Sequence, residues 1–296
     1  RTNMTFKNIS YSSIFFLLFS FVGCSTNSDQ IENEANPNGV DSSIEETSTA
    51  QEEQDNSDYQ FIPPSPIQIG LILEKAGMDY IPNMANPANN AEEYTDKFSQ
   101  SICFGVYSCD LAYCVLNEKY NEASEYLKSI RSLGAKIGLE TVFQSEDMIT
   151  RFEQNIGNKD SIVDILIYVQ ENTDAYIDDN GLDDLSVIYF SGAWIEGMYL
   201  GVKTLAKNTD KNVSVLLSEQ MGILELLLAG IDHIAEKSED IEDLNSAVSE
   251  LLDAYNNLES VQSSADIKDY YDVELTAEEI EIISGKIIDI RQSLVQ

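Results

Sequence analysis

Two carboxylates stand in otherwise apolar segments and are the residues best suited to chemistry in this chain. Asp110 is the only charge in residues 99–116, and Glu196 shares residues 186–205 with Lys203 alone. If the two segments are neighbouring helices, the acids could bind a cation together, or one could keep a raised pKa for acid–base work. The candidate ligand or cation site also includes the aromatic residues Tyr113, Trp194 and Tyr199.

Structural interpretations of the same residues stay open at this point. Each acid could accept a hydrogen bond from a tyrosine hydroxyl or a helix-end N–H group and so fix the packing. Alternatively, Glu196 could lie on a narrow solvated stripe with Gly192 and Lys203. We therefore assign no catalytic residue and no metal ligand.

Other patterns that carry chemistry are weak in this sequence. Residues 178–184 (DDNGLDD) resemble part of a calcium loop, but Tyr176 and Val187 occupy the first and twelfth positions, where an EF-hand needs acids. We interpret this segment as a helix end followed by an acidic helix start. Because His233 is the only histidine, neither a zinc site of the usual kind nor Cys–His catalysis is supported, and no cofactor is predicted.

The two acid-bearing segments are expected to be the central helices of an all-α domain. Their apolar residues occupy nearly every direction around a 3.6-residue helix, which is typical of a helix buried on most sides. Ala193, Gly197 and Gly201 follow one another at four-residue intervals and form a small-residue ridge. Because a glycine inside a helix costs about 1 kcal/mol relative to alanine, we expect this ridge to lie close to the neighbouring helix at 99–116.

The remaining residues from 63 onward also follow helical spacing, and no strand pattern is found. The predicted fold is all-α, a bundle of eight or nine helices joined by short polar turns. Helix starts are predicted at Ser65, Asn90 and Thr276, because these side chains can cap a first turn. The segments DLAY at 110–113 and EGMY at 196–199 echo each other, which suggests two related helical halves.

The N-terminal residues carry targeting signals. Lys7 precedes an apolar run at 14–23 that is shorter than the roughly 20 residues of a membrane-spanning helix and fits the core of a signal peptide. The run ends in FVGC, which resembles a bacterial lipobox and predicts lipidation of Cys24. An ordinary signal peptide with a chance cysteine is the alternative. We assign 1–23 to a lipoprotein signal peptide, 24–62 to a tether and 63–296 to the helical domain.

Acidic residues dominate both the tether and the whole chain. Residues 25–60 hold ten acids and no Lys or Arg, so we predict that the tether is disordered. The formal net charge of the chain is −35. Such a surface repels phosphate backbones, which argues against nucleic acid as a partner. The charge favours solubility, although it could also attract cations or basic partners.

Five short segments together resemble a known kind of protein: NPANN at 86–90, GVYSCDLAY at 105–113, RFEQN at 151–155, DS at 160–161 and SGAWIEGMY at 191–199. They resemble an uncharacterised family of Bacteroidetes-type all-helical lipoproteins, over about residues 64–230. The acids after Cys24 are similar to the export signal of surface-displayed lipoproteins in such bacteria. The resemblance implies a helical envelope lipoprotein and supplies no activity.

The sequence thus predicts a location and a fold more clearly than an activity. The first hypothesis is a non-enzymatic outer-membrane lipoprotein of the bacterial cell envelope, facing the periplasm or the cell surface. It would reach the membrane through the lipid on Cys24 and would bind a protein or small-molecule partner or serve a structural role. The alternative is an enzyme or metal-binding protein that uses Asp110 and Glu196 between the two central helices. The lack of catalytic motifs favours the first hypothesis.

Overall fold

The computed structural model describes residues 64–143, 146–205, 211–264 and 273–296, which belong to one compact unit. Within these ranges the secondary structure is entirely helical, which confirms the all-α prediction. The helices are α1 (Pro66–Lys75), α2 (Lys97–Leu116), α3 (Tyr120–Lys136), α4 (Glu140–Phe143), α5 (Glu146–Gln154), α6 (Lys159–Asp179), α7 (Asp183–Leu205), α8 (Lys211–His233), α9 (Glu239–Asn256), α10 (Glu259–Ser263) and α11 (Ala277–Leu294). The predicted signal peptide, the lipidation site Cys24 and the tether lie outside the described residues.

Two of the three predicted helix starts are confirmed by their capping hydrogen bonds. Ser65 forms a capping box with Gln68 at the start of α1, and Thr276 forms one with Glu279 at the start of α11. In each box the two side chains satisfy N–H groups that the first helical turn leaves without partners.

The predicted helix start at Asn90 is wrong. Residues Ala88–Glu92 form only a short 3-10 helix, and α2 begins at Lys97. Asp96 caps α2, because its carboxylate accepts a hydrogen bond from the Ser99 N–H at 2.8 Å. Asn86 lies in the loop before the 3-10 helix, and its side chain is buried.

The helices α2 and α7 form the centre of the domain, as predicted, and make the most extensive contact of any helix pair. Fifteen of the 20 residues of α2 are buried, so this helix is enclosed on most sides. A Cβ atom at Gly105 would overlap the carbonyl oxygen of Tyr189, and one at Gly192 would overlap that of Ile102. These two glycines therefore allow the two backbones to touch.

The predicted small-residue ridge is divided between two neighbours. The backbone of Ala193 lies against Gly105 of α2, but Gly197 and Gly201 admit Ile69 and Leu73 of α1. The reason is geometric: residues four apart are rotated by about 40° around a helix, so a ridge of three positions turns away from its first neighbour. Both glycines still mark close packing, chiefly with α1, although a Cβ atom at Gly197 would also lie 3.5 Å from Cys109 Sγ of α2.

The acidic segment at 178–184 is a turn between two helices, which confirms its interpretation. The helix α6 ends at Asp179, Gly181 adopts a positive φ of 60°, and α7 begins at Asp183. The N–H of Leu182 donates to the carbonyl of Ile177 at 3.0 Å and closes the end of α6.

Among the described helices, one stretch of α7, Asp183–Thr204, is long and apolar enough to cross a membrane. Most of this stretch is buried against other helices, so its composition is explained by its place in the core. The helices α1, α8 and α11 pack around α7, while α3 covers α2. This arrangement sets the surroundings of both central acids.

Candidate functional site

Asp110 on α2 and Glu196 on α7 meet at the centre of the domain. Both side chains are 0% exposed, and they lie within hydrogen-bonding reach of each other. The close contact of α2 with α7 brings them together. The interpretation of Glu196 as part of a solvated stripe is therefore wrong, because two further helices, α1 and α11, cover α7.

The charge of Glu196 is neutralised by Arg291 of α11, which is 9% exposed. The Arg291 Nε donates to Glu196 Oε2 at 2.8 Å, and its Nη2 donates to Oε1 at 3.1 Å. This two-point contact is the strongest geometry for an Arg–carboxylate pair. The guanidinium carbon lies over the ring of Tyr199, 4.5 Å from the ring centroid.

Asp110 has fewer partners than Glu196. Its Oδ2 accepts a hydrogen bond from the backbone N–H of Asn86 at 3.1 Å. Its Oδ1 is fully buried and accepts no hydrogen bond in the described part of the chain. A buried oxygen in contact with a second carboxyl group is satisfied if it carries a proton and donates it.

The electrostatics place that proton on Asp110. Burial, followed by the charge of Glu196, raises the pKa of Asp110 well above its usual range, against the opposing effect of Arg291. Burial also raises the pKa of Glu196, but the charge and hydrogen bonds of Arg291 oppose that shift. These directions favour Asp110 as the neutral acid of the pair and Glu196, which Arg291 holds, as the carboxylate.

A second set of hydrogen bonds ties the loop before α2 to the C-terminal end of α11. The side-chain amide of Asn86 donates to Tyr94 Oη at 3.0 Å, and Tyr94 Oη donates to the carbonyl of Val295 at 3.4 Å. The Cys103 thiol donates to the carbonyl of Leu294 at 3.7 Å. Burial raises the pKa of Tyr94 to about 12, so its hydroxyl remains a donor at neutral pH. The end of α11 is therefore held at several points.

The other predicted aromatic residues have different roles. Tyr113 Oη accepts from the Ile81 N–H at 2.6 Å and donates to the Asp79 carbonyl at 3.4 Å, so it fixes a loop instead of an acid. The Trp194 ring is fully buried, and its Nε1 finds no hydrogen-bond acceptor among the described residues. Tyr199 is the one aromatic residue of the candidate site that contacts the cluster, through Arg291. The expected tyrosine-to-acid hydrogen bonds are replaced by Asn86 and Arg291.

Arg291 and Asn86 are the functional-site residues that the sequence analysis missed. Arg291 follows Ile283 and Ile287 on the apolar stripe of α11, and a lone arginine on such a stripe signals a buried acid elsewhere. No comparable signal exists for Asn86, because the group that binds Asp110 is a backbone N–H.

The cluster is arranged for structure more than for reaction. The guanidinium of Arg291 occupies the side of Glu196 that a metal ion would need, and an ion there would be repelled by it. The described residues contain no group of three or more His, Cys, Asp or Glu side chains placed to hold a metal. Both acids are 0% exposed, so a substrate would have to displace a covering segment to reach either of them.

Comparison of the chain with protein-family models, with curated proteins and with solved structures gives no match.

Proposed function

We propose that this protein is a lipid-anchored, non-enzymatic helical module of the bacterial cell envelope, held at the outer membrane and facing the periplasm or the cell surface. Its role is to bind a protein or small-molecule partner, or to form a structural part of an assembly. The anchor is the predicted lipid on Cys24, followed by the acidic tether. The helical family that the sequence resembles supports the same assignment.

One observation carries the non-enzymatic part of this proposal. The pair best suited to chemistry, Asp110 with Glu196, is 0% exposed, and Glu196 forms an ion pair with Arg291. Catalytic acids need access to a substrate and a proton they can exchange. In this cluster the ion pair of Glu196 with Arg291 joins α7 to α11, and the backbone N–H of Asn86 holds Asp110 of α2.

Labelling cells with a palmitate analogue tests the anchor. The wild-type protein should incorporate the label and sediment with membranes, and Cys24→Ser should do neither. Cys103→Ser is the matched control, because Cys103 is buried in α2; it should keep full labelling. Retained label on Cys24→Ser would contradict the lipoprotein assignment.

Titration calorimetry on the lipidated protein tests the alternative metal-binding or enzymatic role of Asp110 and Glu196. We expect no saturable heat with calcium, magnesium, manganese or zinc. A saturable heat that disappears in Glu196→Gln would reverse this part of the proposal. Heat that persists in that variant would come from the exposed acidic surface.

A further inference from the structure

A cavity of about 50 Å³ lies beneath α6. All six helices from α1 to α6 contribute to its walls. On α2 the lining residues are Phe104, Ser108, Leu111 and Ala112, which the helical period places on the opposite side from Asp110. Protein interiors contain few voids larger than one water, which needs roughly 10–15 Å³. This space is therefore larger than an ordinary packing defect.

The walls of the cavity are apolar. Thirteen of its sixteen lining residues are apolar, and none of the described side chains that line it is charged. Phe143, Phe152 and Ile165 are among the fully or nearly fully buried ones. An apolar space of this kind holds water poorly, because water needs two or more polar partners.

The three polar side chains at the cavity already donate hydrogen bonds to other groups of the protein. Ser108 Oγ donates to the Phe104 carbonyl at 2.7 Å, and Thr173 Oγ1 donates to the Val169 carbonyl at 2.8 Å. Gln170 Nε2 donates to Asp174 and to Tyr189 at 2.8 and 2.9 Å. Their side-chain oxygens can still accept a hydrogen bond. The cavity thus offers acceptors and no donor, which excludes carboxylates and phosphates as guests.

The cavity reaches the surface between α2 and α6. Ser108, Leu166, Val169 and Gln170 line it and are only half-buried. Only four of the 21 residues of α6 are buried, namely Ile162, Ile165, Thr173 and Ile177. A long helix with so little buried surface is among the elements that separate most readily from a core.

From these features we infer that the cavity binds a short neutral alkyl group of a few carbon atoms. The guest is either a small molecule or the end of a longer chain that leaves between α2 and α6, and a hydroxyl on it can donate to the oxygens at the rim. The apolar walls favour hydrocarbon, the lack of donors rejects anions, and the volume limits the length. This inference supplies a ligand for the proposed binding module and in that respect rests on the proposed function.

Methyl NMR of the full lipidated chain in nanodiscs tests the site, with butanol, decanol and butyrate as probes. The reporters are the isoleucine methyl groups of Ile130 and Ile165, which line the cavity, and the reference is Ile283 of α11. We expect saturable shifts at Ile130 and Ile165, none at Ile283, and none with butyrate. Shifts with butanol identify a small molecule as the guest, and shifts with decanol alone identify a chain end.

Ala112→Val adds two methyl groups to the cavity wall and should weaken alkanol binding at least tenfold. Should near-UV circular dichroism show that this variant is misfolded, Ile165→Ala enlarges the space and should tighten binding of cyclohexanol, reported by Ile130. The matched control, Ile283→Ala, makes the same truncation in α11 and should leave binding unchanged. Absence of a saturable shift with both butanol and decanol, or equal shifts with butyrate, would overturn the inference. Failure of the wild-type protein to incorporate palmitate would contradict the proposed lipid anchor and would leave the cavity inference unaffected.

Discussion

The two sides of α2 differ in how they pack into the core: one is polar and hydrogen-bonded, and the other is apolar and incompletely filled. On the side facing α7 and α11, polar groups are buried but nearly all of them are satisfied, through the contacts of Asp110, Glu196 and Arg291. On the side facing α3 and α6, the groups are almost all apolar, yet a space of about 50 Å³ is left unfilled. The side facing α7 and α11 carries groups suited to chemistry but is closed to solvent. The side facing α3 and α6 reaches the surface but carries no reactive groups.

This difference shows that buried acids are not enough to identify an active site. A buried ion pair is costly to desolvate and adds little stability over an apolar core, but it is strongly destabilising when one partner is lost. Such a cluster selects one arrangement of helices. An unfilled apolar space, in contrast, lowers the stability of the empty protein. A guest that fills the space raises the stability of the folded state again.

Removing Arg291 should have the largest effect on the polar side. Arg291→Leu leaves Glu196 in the core without its counter-charge, and we expect a loss of about 3–5 kcal/mol in the free energy of unfolding. Urea denaturation measures this change. Lys286→Leu removes the same charge from a half-buried position on α11 and should change stability by less than about 0.5 kcal/mol.

The double variant Arg291→Leu with Glu196→Leu sharpens this result. Replacing both charges by apolar groups removes the unpaired carboxylate and should recover most of the lost stability. If the double variant is as unstable as Arg291→Leu alone, the loss comes from packing of the arginine side chain and not from its charge.

The close contact of α2 with α7 keeps the polar side sealed, and Gly105→Ala tests it. The new Cβ atom would overlap the backbone carbonyl of Tyr189, which cannot move without its helix. We expect a loss of about 1–3 kcal/mol in stability, measured by urea denaturation. Gly285→Ala is the control, because its Cβ would meet nothing within 4 Å, and it should stabilise α11 by up to about 1 kcal/mol. Equal effects of both substitutions would mean that the backbones are not in contact at Gly105.

The sequence predicted the central helices and the meeting of their two acids for a physical reason. A helix enclosed on most sides must be apolar around nearly its whole circumference, so α2 and α7 stand out, and a charge kept within such a helix points to a specific partner. The pattern could not identify that partner. Arg291 lies 95 residues from Glu196, and periodicity within one helix carries no information about which helices meet.

Two other features depend on three-dimensional fit and so were not predictable. The ridge formed by Ala193, Gly197 and Gly201 marked close packing, but the choice of α1 or α2 as neighbour depends on the rotation of α7. The cavity under α6 depends on how side chains from six helices fill space, and each contributing stripe looks like ordinary core. Small residues at a contact are visible in a sequence, whereas missing volume is not.

The pH dependence of stability tests the proton on Asp110. Because burial raises the pKa of Asp110 well above its usual range, the folded chain keeps a proton that the unfolded chain releases above a pKa of about 3.9. This group therefore lowers the free energy of unfolding as pH rises, by up to about 1.4 kcal/mol per pH unit, until pH exceeds the folded-state pKa.

Asp110→Asn removes this dependence while keeping an oxygen for the Asn86 N–H and a donor for Glu196. Its stability relative to wild type should therefore rise steadily above about pH 4, as measured by urea denaturation over a pH series. Asp289→Asn on α11 makes the same substitution at an exposed position and serves as the matched control. A constant difference for Asp110→Asn would mean that Asp110 is ionised in the fold.

Filling the cavity should give the smallest effect and the opposite sign. Ala112→Val places two methyl groups in the space; at about 24 cal/mol per Å³ of filled volume, the gain over 50 Å³ is about 1 kcal/mol. The lower helix propensity of valine offsets about half of this gain, so the free energy of unfolding should rise by less than about 1 kcal/mol. Ala123→Val makes the same change at a fully buried position of α3 that does not line the cavity, where overpacking should cost about 1–3 kcal/mol. Opposite signs for these two substitutions would show that the apolar side of α2 has room that the position of Ala123 lacks. Destabilisation by both would mean that Ala112 has no room for the added methyl groups.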